Sequence, residues 1–232
     1  MVTSAPPIAE RVVAASTSEP VWARRILIGI SVGFSALFIL VPLAAIFGEA
    51  FSRGLRAFGQ ALVDPKALSA IKLTLITTAI VVPLNLVFGV SAAWAIARFR
   101  FWGRSFLISL IDLPLAVSPV IAGMVFVLLF GSRGGFLGPW FAAHGVKIIF
   151  GLPGIVLATT FVTFPFIARE LIPLMEAQGS DEEQAAVSLG AGGWTTFRRI
   201  TLPNIKWGLL YGVLLCSARA LGEFGAVAVV AG

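Results

Sequence analysis

Charge, cysteine and histidine are what this chain has least of. Charged residues fill 12% of 232 positions, about half the share found in water-soluble domains, so a soluble globule is not expected. The single cysteine, Cys216, excludes an intramolecular disulfide, and its apolar surroundings leave the redox compartment unread. One histidine, His144, beside that one cysteine supplies no His/Cys donor set, so no metal site is expected. No paired carboxylates, histidine cluster or nucleophile–base pair mark an enzyme. The phosphate-cradling sequence G-x-x-x-x-G-K-[ST] is also missing, so this chain is not expected to hydrolyse ATP or carry a cofactor of its own.

What is present is apolar. Hydrophobic residues make up 58% of the chain and mean hydropathy is +0.98. Five runs reach the ~20 residues that cross a hydrocarbon core; they lie near 26–47, 71–96, 105–130, 148–168 and 208–230. The fold expected is all-α, a polytopic bundle of membrane helices. Residues 1–25 are polar, rich in Ala, Ser and Pro, and without periodicity, which reads as a disordered tail. The run after them is too long for a signal-peptide core and should persist as a span. Pro42, Pro83, Pro114, Pro119, Pro153 and Pro165 fall in or beside spans. They either bend a bundle that opens and closes or reflect the ordinary frequency of proline in membrane helices.

The net charge of +6 does not indicate nucleic acid, because the basic residues sit at span ends. Ten of them occupy the tail, the second connection and the long 169–207 connection, against five in the other two. The excess of Lys and Arg places the N-terminus and the 169–207 loop in the cytoplasm.

That loop holds a compact polar tract, Ser180 to Pro203. Ser180 and Glu183 have the spacing of a capping box, and Asp181 and Glu182 suit the positive end of a helix dipole. A helix from Asp181 through Leu189 is expected, stopped by Gly190. A second short helix, Trp194 to Ile200, should follow before Pro203 opens the last span. Ala185 and Ala186 give the first helix a small-residue face that a partner surface can approach. An amphipathic hairpin touching only lipid headgroups is the plainer alternative.

Gln184-Ala185-Ala186, Gly190 and Ile200-Thr201-Leu202-Pro203 stand at the intervals of the EAA coupling motif, and the loop (about 174–206) resembles that of ABC importer permeases. Gln184 fills the slot usually held by Glu, with Glu183 one residue earlier. The strings 112–123 and 218–227 resemble sulfate and molybdate permeases, and 161–175 with 203–207 resemble the W-type permease subunits of sulfate/thiosulfate importers. The resemblance extends over 26–232. It implies a type I importer bundle of six helices, of which five are present and the sixth is expected to be lost by truncation. It implies an inner-membrane location and coupling through Glu183, Gln184, Ala185, Ala186, Leu189, Gly190, Ile200, Leu202 and Pro203. The implied partners are an ABC ATPase dimer carrying Mg-ATP, a second, T-type permease, and a sulfate/thiosulfate-binding protein. A molybdate or tungstate importer is the alternative within the family; a secondary anion transporter or channel is the alternative outside it.

Three charges lie inside spans: Asp112, Arg219 and Glu223. Each costs roughly 2.5–3.5 kcal/mol to insert at a helix centre. Arg219 and Glu223, four apart, share a helix face. Together with Gly222, Ser118 and Asp112 they form a candidate translocation path or gate. A purely structural role is the alternative: an ion pair for Arg219 and Glu223, capping of a kinked helix or pairing with a basic group for Asp112, and backbone hydrogen bonding for Ser118.

Overall fold

The computed structural model describes residues 20–131 and 134–231. Residues 1–19 of the expected tail lie outside that range; residues 21–25 are already helical, so the first span begins earlier than expected. The chain divides into two compact units, 1–68 and 69–232.

In the first unit, α1 (Val21–Ser52) has no buried side chain, although it carries Pro42 in its interior. A helix apolar on every side and buried on none is built to face lipid. A short helix, α2 (Leu55–Leu62), follows, with the rings of Phe51 and Phe58 5.0 Å apart.

The second unit is organised around α3 (Pro65–Arg98), most of which lies within it. Thr77, Val81, Asn85, Gly89, Ala93 and Ile96 are its buried residues, a spacing of three to four that lines one face. This face meets α8 (Pro165–Gln178) and α11 (Leu202–Leu221) in a core that includes Ala93, Ile167, Leu171, Met175, Ile205 and Cys216. The approach is close at Gly89, where a Cβ would stand 2.7 Å from Ile167 Cβ. Small residues at helix crossings have this use in membranes.

A polar node sits inside that contact. Asn85, fully buried, donates from Nδ2 to Thr163 Oγ1 at 2.7 Å. Thr163 in turn donates to the Thr159 carbonyl. Thr159 and Thr163 belong to α7 (Leu152–Thr163), which joins α8 through Phe164 just where Pro165 withholds a backbone donor.

The third expected span is not one straight helix. α4 (Arg104–Ala116) and α5 (Pro119–Phe130) meet at 109°. Val117 and Ser118 are extended, with ψ of 132° and 135°; Ser118 is driven out of the helical region by the proline that follows it. A short helix, α6 (Gly138–Ala143), follows.

The last span also differs from expectation. α10 (Gly193–Thr196) winds through a π-helical turn, Phe197–Thr201, directly into α11. Pro203 therefore lies inside a continuing helix, just past the π turn where the hydrogen-bond pattern changes, and does not open a gap between two helices. After Leu221 the helix breaks and resumes as α12 (Gly225–Ala231), bent by 48°. Among the described residues, three helical stretches are long and apolar enough to span a membrane, or five if each bent pair makes one crossing. Among the described residues there is no strand.

Candidate functional site: the 174–206 loop and the broken spans

The polar tract folds as expected in its first half. α9 (Asp181–Ser188) starts after Ser180 and carries Asp181, Glu182 and Glu183 in its first turn. Gly190 ends it with φ at +86°, a left-handed angle that glycine adopts without steric cost. None of its residues is buried, so no apolar core fixes α9 to the bundle. Leu189 is 90% exposed and Val187 and Trp194 are exposed as well.

Polar contacts hold the helix instead, and they replace the expected capping box. Ser180 makes no cap hydrogen bond to the backbone; its hydroxyl accepts from Gln184 Nε2 at 2.7 Å. Glu183 turns inward. Its Oε2 is 2.7 Å from Arg98 Nε, with side-chain exposures of only 15% and 10%, and its Oε1 accepts from Thr201 Oγ1 at 2.6 Å. Arg98 at the same time donates to the Met175 carbonyl at 2.8 Å. One carboxylate and one guanidinium thus join the ends of α3 and α8 to α9 and to the π turn below α11. Tertiary partners outcompete the local cap because Arg98 offers the carboxylate a full opposite charge in a largely buried setting, where the cap offers one backbone N–H.

Around this pair, Glu182 accepts from Asn204 Nδ2 at 2.5 Å, and Gln178 Nε2 donates to the Asn204 carbonyl. Arg104 pairs with Glu176 at 2.6 Å. Trp94, Phe197 and Trp194 form an aromatic series with centroids 5.6 and 5.7 Å apart. The contacts leave a cleft of about 440 Å³ between α9 and the start of α11, lined in part by Arg98, Glu182, Glu183 and Asn204. Of the candidate coupling residues, Gln184, Ala185, Leu189 and Gly190 are exposed, while Glu183, Ala186, Ile200 and Leu202 are half-buried. Nothing local in the sequence marks Arg98, Thr201 and Asn204 for the braces they make; Arg98 reads there only as a span-end charge.

The charges in the broken spans separate into two pairs. Arg219 Nη1 and Glu223 Oε2 are 2.5 Å apart, and the Glu223 side chain is 1% exposed. Glu223 Oε1 also accepts the Ala226 N–H at 2.8 Å, so this one carboxylate neutralises Arg219 and caps α12 across the Gly222 break. Asp112 pairs with Arg169 of α8 at 3.5 Å and not with the Arg219 group. Ser118 lies exposed at the start of α5 and makes no side-chain cap bond. The α5 and α12 starts touch: a Cβ on Gly225 would be 3.2 Å from Pro119 Cβ, and one on Gly123 would be 3.0 Å from the Ala226 carbonyl. The two breaks, at Ser118 and at Gly222–Phe224, are therefore neighbours. Among the described residues, no group of His, Cys, Asp and Glu could hold a metal.

A bundle of apolar helices with broken spans and an exposed, ionically braced loop is the architecture of a multi-pass membrane protein. Residues 85–232 match the binding-protein-dependent transport system inner membrane component family, and the chain belongs to it. It is similar to the sulfate transport system permease protein CysW of Escherichia coli (strain K12), at 55% identity over 211 residues, covering 91% of this chain and 72% of that protein. It is also similar to the CysT permease protein of the same organism, at 37% identity over 205 residues, covering 88% and 74%. Among solved structures, a bacterial ABC transporter that imports alginate shares the fold, with a TM-score of 0.72 at 18% identity, covering 86% of this chain and 73% of that one. The chain is accordingly a transport component and not an enzyme.

Proposed function

We propose that this chain is the W-type permease of an ATP-driven sulfate/thiosulfate importer, paired with a second, T-type permease and served by a binding protein outside the membrane. Two ATPase subunits would supply Mg-ATP hydrolysis from the cytoplasmic side, where the N-terminus and the 174–206 loop would lie. The observation that carries the mechanism is α9: exposed on its outer side, and held on its inner side by Glu183 to α3 and to the root of α11. A helix without a buried residue but with two ionic and hydrogen-bonded anchors suits a handle that a partner pushes. The exposed Gln184, Ala185, Leu189 and Gly190 would contact the ATPase. Ala186, Ile200, Leu202 and Pro203 would shape the surface behind them.

The choice of sulfate is supported by the identity to CysW and rests on that relationship alone. Arg219 would offset part of a dianion's charge at the α11–α12 break, with Glu223 holding the guanidinium in place. Ser118 and Gly222 would flank it at the two adjoining breaks, and Asp112 would brace α4 through Arg169. The test is growth rescue: the gene should restore a strain lacking sulfate uptake, when supplied with its partner subunits, and leave a molybdate-uptake mutant unrescued. Rescue of the molybdate strain alone would refute the sulfate assignment. Co-purification with the ATPase, lost in Gly190→Asp, checks the docking role.

A further inference from the structure

We infer that Arg98 is a positioning residue for transport: it locks α9 and α3 into one moving body, so that displacement of the loop helix enters the bundle through α3. The inference deepens the function proposed above and rests on it for the identity of the pushing partner.

α9 buries no side chain, so hydrophobic packing cannot carry a force from it to its neighbours. What it has is Glu183, with both carboxylate oxygens committed: one to Arg98 at 2.7 Å, the other to Thr201, itself 2% exposed, at 2.6 Å. Arg98 ends the 34-residue α3, and its Nη1 also holds the Met175 carbonyl in the last turns of α8. Such a pair resists salt, because burial excludes the ions that screen exposed charges. Arg98 Nη1 fixes the guanidinium against α8, and its Nε meets Glu183 as a close ionic contact without hydrogen-bond geometry. The Glu182–Asn204 contact runs to α11 instead. With Arg98 removed, α9 would keep its ties to α11 and lose the tie to α3.

The test uses the assembled transporter with its ATPases and binding protein, in a Cys216→Ala background. Spin labels at Asp181→Cys on α9 and Phe88→Cys on the exposed side of α3 report the distance between the two helices. With Arg98 intact, that distance should stay the same with and without bound nucleotide. In Arg98→Ala it should change on nucleotide binding, and uptake per ATP hydrolysed should fall roughly 2- to 30-fold, the range for residues in coupling networks. Arg98→Lys should retain part of the coupling. The exchange Arg98→Glu with Glu183→Arg should restore more than either single change, and Arg100→Ala, at an exposed position two residues past the end of α3, should behave as wild type. A distance and an uptake ratio unchanged by Arg98→Ala would overturn the inference. So would failure of Arg98→Ala and Arg98→Lys to assemble with the ATPases, since the pair would then build the docking surface without transmitting movement. If the wild-type complex carries no sulfate but the labels behave as described, the substrate assignment fails and the role of Arg98 stands.

Discussion

Replacing Glu223 separates two roles that one carboxylate performs at the α11–α12 break. In Glu223→Ala, Arg219 loses its counter-ion inside a span, and an unpaired arginine near a helix centre costs roughly 2.5–3.5 kcal/mol. The Ala226 N–H loses its acceptor as well, which adds about 1 kcal/mol as for other helix caps. Arg219 is 31% exposed on its side chain and can reach water in part, so the expected total is about 2–4 kcal/mol. Glu223→Gln keeps a carbonyl oxygen for Ala226 and loses only the charge, so it should be about 1 kcal/mol milder. Adding Arg219→Leu to Glu223→Ala removes the stranded cation and should recover most of the loss, since an apolar pair often matches a buried ion pair. The assay is thermal unfolding of the purified permease pair, where each kcal/mol moves the midpoint by about 2–4 °C for a chain of this size. If the double variant is no more stable than Glu223→Ala, the pair is not what stabilises this break.

Three further outcomes are expected. Gly89→Leu would set a branched side chain against Ile167, whose Cβ already lies 2.7 Å from the position of a Cβ on residue 89; overpacking of about 1–3 kcal/mol should appear as a lower unfolding midpoint. Gly190→Asp, besides blocking contact, forces a left-handed angle of +86° on a residue with a Cβ, at about 1–2 kcal/mol; ATPase retention on an affinity column should fall while the permease pair stays assembled. Asn85→Asp would bury a carboxylate whose neighbours, Thr163 and Cys216, carry no cation. A loss of about 3–5 kcal/mol is expected, as for other unpaired buried charges, and it should be read as reduced yield of folded protein.

Much of this arrangement was legible because composition dictates it. Runs such as 26–47 have no way to be soluble, and α9 follows from Asp181, Glu182 and Gly190, whose preferences act within a single turn. What escaped notice depends on partners distant in the chain. The Ser180–Glu183 spacing is right for a capping box, but Arg98, 85 positions earlier, takes the glutamate. Arg98 itself looked like one more span-end charge of the kind that orients a topology. The Ser118–Pro119 pair was visible, yet the sequence alone does not say whether a proline bends a helix slightly or turns it through 109°. Asn85 passed unremarked for the same reason: its meaning lies in Thr163, on another helix. The Arg219–Glu223 pair could be foreseen, being local, whereas the Glu223 hydrogen bond to Ala226 required knowing that the helix stops between them.

The π turn at Phe197–Thr201 has a consequence for the rest of α11. A π turn holds one residue more than the α-helical turn it replaces, and each residue of an α-helix advances the azimuth by about 100°. Deleting a single residue there would let the turn relax to α-helix without breaking the rod. Because the wide turn holds that residue within a single revolution, everything downstream would keep nearly its azimuth, with Cys216 still beside Asn85. The surplus is absorbed where it stands, so the chain can lose one position near the surface that meets a partner without turning the part that lies deep in the bilayer. A one-residue deletion would therefore be milder at this turn than further along α11, where each position removed swings the remainder by about 100°.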